Sequence, residues 1–363
     1  MSADPPRRGH RRLLAGILGV AASTVTAGYV AQHRVVARTR AAAEDEAEGL
    51  TLPDDVTRTV VETDDGGQIH VLERGHGPAL VLLHGFMLSG AIWAHQLRDL
   101  AGGHRVIAVE LRGHGRSVPG TARFDVSPDG EESGSVVAGA RMAAAQQGAP
   151  AIRRMAMDVR QVLDRLGVER AVLVGHSMGG MVALQLLHDL PGAELDRRVV
   201  GLVLVSTTAG PFSRLPGYSG VVRLAGPASA RAIGLADRFG ARFVPSQDLR
   251  WWLTRAGFGP DTPAALVRFI ESVQLATPAG TLPDLVPSVA AFDLSRWIGT
   301  LDLPVLVLVG SHDHLTPPRH AWRTAGALPR AEVVELPRCG HMPMLERRRE
   351  FGRLVDEFSA KVR

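Results

Sequence analysis

The stretch Ala171–Leu187, AVLVGHSMGGMVALQLL, constrains this chain more than any other. Apolar residues of strand character, Ala171 to Val174, run straight into Gly175-His176-Ser177-Met178-Gly179. An apolar run with helical spacing follows at once. A strand, a tight G-x-S-x-G turn and a helix in that order force the serine into a strained backbone conformation. They leave its hydroxyl exposed at the carboxyl end of a parallel strand. Small residues are needed two positions to either side, where neighbouring backbone passes, and Gly175, Gly179 and Gly180 supply them. The hydroxyl also stands at a helix N-terminus, where free N–H groups and the helix dipole favour developing negative charge. Ser177 is therefore the candidate nucleophile.

The rest of the chain supplies a sheet for that turn. Thr57–Thr63 and Gln68–Arg74 flank Asp64-Asp65-Gly66-Gly67 and read as a hairpin. Pro78–Leu83, Arg105–Val109, Val199–Val205, Pro304–Val309 and Ala331–Leu336 are short apolar runs of strand character. Helical patterns are expected over Ala91–Leu100 and Met155–Leu166, and Cys339–Glu346 is expected to open a C-terminal helix. Apolar strands alternating with helices predict a mainly parallel central sheet covered by helices on both faces. Two segments break the alternation. Residues 118–150, rich in Gly, Ala, Ser and acids, read as a flexible insertion. Residues 207–300, with proline-punctuated helical runs, read as a helical cap. The core is then expected as 51–206 and 301–363.

Charge places a third unit at the N-terminus. The net charge is +4, yet residues 1–40 carry seven arginines against one acid, which leaves the remainder slightly acidic. The basic balance belongs to this arm, so no nucleic-acid surface is expected on the folded body. No charged residue occurs from Leu13 to Ala31, a stretch just long enough to span a bilayer. Residues 1–50 are therefore expected as a basic arm, a transmembrane segment at 13–31 and a solvated linker. That would hold the protein at the bacterial cell membrane. Val25-Thr26-Ala27 also resembles a small-residue cleavage site, so export behind a cleaved signal stays open, as does a surface or disordered arm. Cys339 is the only cysteine, which excludes an intrachain disulfide and a cysteine metal cluster.

The ordered set His84-Gly85-Phe86, Arg112-Gly113-His114-Gly115-Arg116-Ser117, the Ser177 turn, Gly310-Ser311-His312-Asp313 and Cys339-Gly340-His341-Met342-Pro343-Met344-Leu345-Glu346 resembles the α/β-hydrolase superfamily over about residues 57–360. The Ser177 turn is similar to that of monoacylglycerol lipases and related esterases. The stretch from His84 to Gln96 is similar to cofactor-free haloperoxidases and perhydrolases. The resemblance implies the α/β-hydrolase fold and a Ser-Asp-His chain order, with Ser177 as nucleophile, His341 as general base and Asp313 as the acid that orients it. It also implies an oxyanion hole made by the backbone N–H groups of Phe86 and Met178. His84 reads as a tether of its loop, and Glu110, Arg112 and His114 as loop architecture beside the site. His176, His312 and His314 lie near the site without an assigned role. No H-E-x-x-H or similar spacing appears, so neither a metal nor a cofactor is expected.

The expected activity is serine hydrolysis of a carboxylic ester or lipid, with a medium or long acyl chain favoured by the apolar cap. Trp251 and Trp252 stand as candidate substrate contacts, with plain packing as the other reading. The same triad could instead serve perhydrolysis, lactone opening or carbon–carbon bond hydrolysis. A membrane-tethered, non-catalytic binding module is the alternative of another class. The oligomeric state is not legible in the sequence.

Overall fold

A computed structural model describes residues 49–121, 150–190, 197–211 and 247–363. Eight strands form one sheet: β1 (Thr57–Glu62), β2 (Gln68–Arg74), β3 (Ala79–Leu83), β4 (Arg105–Val109), β5 (Ala171–His176), β6 (Val199–Val205), β7 (Val305–Gly310) and β8 (Ala331–Leu336). Their spatial order is β1-β2-β4-β3-β5-β6-β7-β8. The β1/β2 and β2/β4 pairs are antiparallel. Every other pair is parallel, as the apolar, two-face-buried strands predict. This is the α/β-hydrolase fold.

Strand residues alternate between two apolar layers because successive side chains leave opposite faces of a strand. Val81, Leu83, Leu173, Leu202 and Leu204 join one layer with α2 (Pro150–Arg165) and α3 (Met178–Asp189). Leu80, Leu82, Val172, Val174 and Val203 join the other with α1 (Ala94–Asp99), which a 3₁₀ turn at Gly90–Trp93 precedes. Between β6 and β7 the chain leaves the sheet and forms α4 (Gln247–Arg255), α5 (Ala264–Ala276) and α6 (Leu282–Ala291). After β7 come α7 (Pro318–Ala327) and, beyond β8, α8 (Pro343–Glu346) and α9 (Arg348–Lys361).

Residues 118–121 of the expected insertion are tied to the sheet, because Val118 exchanges two backbone hydrogen bonds with Gln68 and Thr121 N–H donates to the Asp65 carbonyl. Residues 122–149 of the expected insertion and 212–246 of the expected cap lie outside the described residues, as does the apolar segment 13–31. Among the described residues no helix is long and apolar enough to cross a membrane.

Candidate active site

Ser177 sits between β5 and α3 with φ 52° and ψ −118°, a left-handed backbone that a side-chain-bearing residue rarely adopts. Such a conformation costs on the order of 1–3 kcal/mol and persists only when its surroundings over-determine it. Here they do. Ser177 N–H donates to the Val205 carbonyl at 2.9 Å, and Thr207 Oγ1 donates to the Ser177 carbonyl at 2.7 Å. A Cβ on Gly179 would stand 2.2 Å from the Leu83 carbonyl oxygen, and one on Gly175 2.6 Å from the Gly179 carbonyl oxygen. These glycines are thus required by backbone approach.

His341 and Asp313 come from loops after β8 and β7. His341 Nδ1 lies 2.9 Å from Asp313 Oδ2. The other oxygen of Asp313 accepts from the backbone N–H of Leu315 at 2.9 Å and of Thr316 at 2.8 Å, and Thr316 Oγ1 donates to Oδ2 at 2.8 Å. Burial alone would push this carboxyl up. The nearby imidazole and these donors outweigh it and hold the Asp313 pKa below its ordinary value. Asp313 is therefore an anion that needs the His341 Nδ1 proton. That leaves Nε2 as the ring's free base in the neutral imidazole.

Ser177 and His341 line the same cavity of about 190 Å³, together with Phe86, Met87, Leu88 and Met178. Met178 is the first residue of α3, so its N–H has no acceptor within the helix. Phe86 lies on the loop after β3, which two neutral histidines pin down. His84 Nδ1 contacts the Gly85 carbonyl at 2.8 Å, and its Nε2 accepts the Leu111 N–H at 2.9 Å. His114 Nε2 accepts the Met87 N–H at 3.2 Å, with its Nδ1 3.0 Å from the Arg112 carbonyl. Glu110 Oε1 accepts from Gly90 N–H and Oε2 from Arg116 N–H. Arg112 is fully buried and donates to both oxygens of Asp158 and both of Asp65, which joins its loop to α2 and to the β1–β2 turn.

His176 lines the cavity beside His341 and holds the backbone of that residue. Its Nε2 donates to the His341 carbonyl at 2.9 Å, and the two rings meet edge to face at 4.9 Å. His312 and His314 are exposed and do not line the cavity.

The tryptophans fall elsewhere. Trp251 is 3% exposed and packs in the apolar layer with Phe258, Leu266 and Ile270, while Trp252 is 45% exposed. Neither lines the cavity, which instead takes Gln274 from α5 and Val286, Val289 and Ala290 from α6. Adjacent residues on a helix point about 100° apart, so a Trp-Trp pair cannot place both rings on one face. The wall residues carry no motif, and their spacing on α6 was the only sequence signal available.

Burial pushes the pKa of His84 well down, that of His114 to about 4 and that of His176 to about 3. All three are neutral at neutral pH, as acceptance of an N–H by His84 and His114 requires. In the unfolded chain an imidazole titrates near 6.5. As pH falls below that value the unfolded state takes protons that the folded state refuses, until His114 protonates near pH 4 and His176 near pH 3 in the folded form. Their contribution to stability is thus complete above about pH 6.5 and shrinks between there and pH 4, by about 1.4 kcal/mol per group per pH unit. Asp313 acts in a lower window, since a depressed carboxyl loses its contribution only below its unfolded pKa. The urea midpoint is expected to fall steeply from pH 7 to pH 5. A flat midpoint over that range would contradict neutral burial of these rings.

A family model described as "alpha/beta hydrolase fold" matches residues 78–348. The chain is 25% identical over 309 residues to the AB hydrolase superfamily protein YisY of Bacillus subtilis (strain 168), covering 82% of this chain and 98% of that protein. It is 27% identical over 305 residues to the 2-hydroxy-6-oxo-6-phenylhexa-2,4-dienoate hydrolase of Burkholderia cepacia, covering 81% and 91%. Among solved structures, the esterase RhEst1 from Rhodococcus sp. ECU1013 is 26% identical, with a TM-score of 0.57 over 85% of this chain and 99% of that one. With sheet order, elbow and family match in agreement, this chain belongs to the α/β-hydrolase family.

Proposed function

We propose that the chain hydrolyses carboxylic esters through an acyl-enzyme formed on Ser177. The observation that carries this reading is the convergence on one apolar cavity of Ser177, of His341 backed by buried Asp313, and of the loop and helix start that present the Phe86 and Met178 amides. His341 takes the Ser177 proton as the hydroxyl oxygen attacks the ester carbonyl, and the two amides hold the oxyanion. The tetrahedral intermediate collapses with loss of the alcohol, which receives that proton. A water molecule, deprotonated by the same imidazole, then attacks the acyl-enzyme and releases the acid. The Rhodococcus esterase supports the ester reading among the relatives, and the dienoate hydrolase shows that the fold serves other bonds.

Cavity size narrows the substrate. At about 190 Å³ it modestly exceeds the ~150 Å³ engineered cavity that holds benzene. That supports a short acyl chain in place of the medium or long one suggested by apolar composition. Among the described residues its lining carries no aspartate, glutamate, lysine or arginine, which supports an uncharged substrate. In a series of p-nitrophenyl esters, kcat/KM is expected to be highest for acetate to butyrate and to fall toward laurate. Absence of turnover across the series, with or without hydrogen peroxide, would overturn the ester reading. Turnover that requires peroxide would assign perhydrolysis to the same residues.

A further inference from the structure

His341 hangs from a loop, and its hydrogen bond to Asp313 fixes the ring without fixing the backbone that carries it. Three groups hold that backbone. His176 takes the carbonyl, as described above. The His341 N–H donates at 2.7 Å to the carbonyl of Gly257, just after α4 among the helices inserted between β6 and β7. The third is Glu346, the last residue of α8. Its Oε1 accepts from the N–H groups of Gly340 at 2.9 Å and Met342 at 3.2 Å, the residues on either side of His341. Its Oε2 accepts from Gly259 N–H at 2.7 Å and from Thr262 Oγ1 at 2.6 Å. One carboxylate thus joins both neighbours of His341 to the turn between α4 and α5.

The joint is backbone against backbone. A Cβ on Gly340 would lie 2.5 Å from Gly259 N, and one on Gly259 would lie 2.5 Å from the Arg338 carbonyl oxygen. No side chain fits between the two segments, so their relative position depends on the groups that bridge them. The Cys339 thiol also faces Oε1, at 3.8 Å, and a carboxylate suits the task because it only accepts and all five groups facing it donate. Bonds to an ionised acceptor are also the stronger kind.

We propose that Glu346 is a positioning residue for His341, setting the base against Ser177 and registering it to the inserted helices. This rests on the reading of His341 as general base. The inserted helices then do more than wall the cavity: the Gly257–Thr262 turn becomes part of what holds the base. A misplacement of an ångström can cost about a hundredfold in rate.

The test is Glu346→Gln, which keeps volume but turns an N–H₂ toward donors on one side of the joint. Two readouts are compared with wild type under conditions where far-UV circular dichroism shows both chains folded. One is kcat and KM on p-nitrophenyl acetate. The other is the second-order rate of Ser177 labelling by a fluorophosphonate, which reports activation of the hydroxyl whatever the natural substrate. Glu346→Gln is expected to lower kcat and the labelling rate together, by about 10–100-fold, with KM within about twofold. Thr262→Val removes one donor on the helix side, leaves the His341 loop untouched and is expected to lower both rates several-fold. It also decides the matter if Glu346→Gln fails to fold. A merely structural role would lower the melting temperature while the folded fraction kept its kcat and labelling rate, and that result overturns the proposal. Wild type that labels but turns over no ester sinks the ester reading alone, because the labelling comparison still stands. Wild type that does not label removes His341 as base and overturns the proposal with it.

Discussion

Ser177→Ala is expected to reduce ester turnover by on the order of 10⁵–10⁶-fold, to the level left by binding and oxyanion contacts alone. The size follows from the role. An aliphatic hydroxyl is protonated at neutral pH and reacts only because His341 can take its proton, so without the oxygen the imidazole and the amides have no intermediate to act on. Stability should change little. Alanine tolerates the positive φ at 177 about as poorly as serine, and the bonds that hold the turn use the backbone N–H and carbonyl, which the substitution keeps. The check is kcat/KM on a short ester with wild-type and variant protein of equal melting temperature, alongside loss of fluorophosphonate labelling. A folded variant that retained turnover within tenfold of wild type would remove Ser177 from the mechanism.

The elbow was legible because its demands are local. A strand run, glycines at fixed offsets and a following helix all lie within one short stretch, and steric need fixes their order. The sheet was legible for a related reason: strands buried on both faces must be apolar throughout, and β3, β5 and β7 are fully buried. The placing of His341 and Asp313 needed only the chain order of the strands they follow. The cavity wall was not legible. Apolar composition in 207–300 says that helices pack, but the face each turns inward depends on how it docks. Trp251 therefore went to the core, Trp252 to solvent, and the wall fell to Val286, Val289 and Ala290. Nor was the ion cluster of Arg112, Arg154, Asp65 and Asp158 foreseen: Arg154 and Asp158 are an i,i+4 pair on α2, but Asp65 and Arg112 come from distant segments and meet them only in three dimensions. Burying such charges is tolerable only when each is paired, and no local spacing rule joins Asp65 and Arg112 to the pair on α2. Glu346 illustrates the same limit. Its position five residues after His341 is plain in the sequence, whereas its bonds to Gly259 and Thr262 depend on the docking of the inserted helices.

Asp313→Asn is expected to lower kcat by about 10⁴-fold while leaving the fold intact, and the hydrogen bonds around it say why. Oδ1 faces two backbone donors, the N–H groups of Leu315 and Thr316, which cannot become acceptors. An asparagine must keep its carbonyl oxygen there, because turning its amide over would set an N–H₂ against two buried N–H groups, at about 1–3 kcal/mol for each donor left unsatisfied. Its N–H₂ therefore takes the place of Oδ2 and points at His341 Nδ1. That nitrogen must then accept, and the ring proton moves to Nε2, the nitrogen that should receive the Ser177 proton. Thr316 Oγ1 can rotate to accept from the new amide, so the site stays satisfied and folded in the unproductive tautomer. The measurement is kcat on a short ester together with the His341 ring ¹⁵N shifts, which report the tautomer directly. A loss smaller than tenfold would mean that another acid orients the ring, and β6, the neighbouring strand, is followed by Ser206-Thr207-Thr208, with no carboxylate to offer.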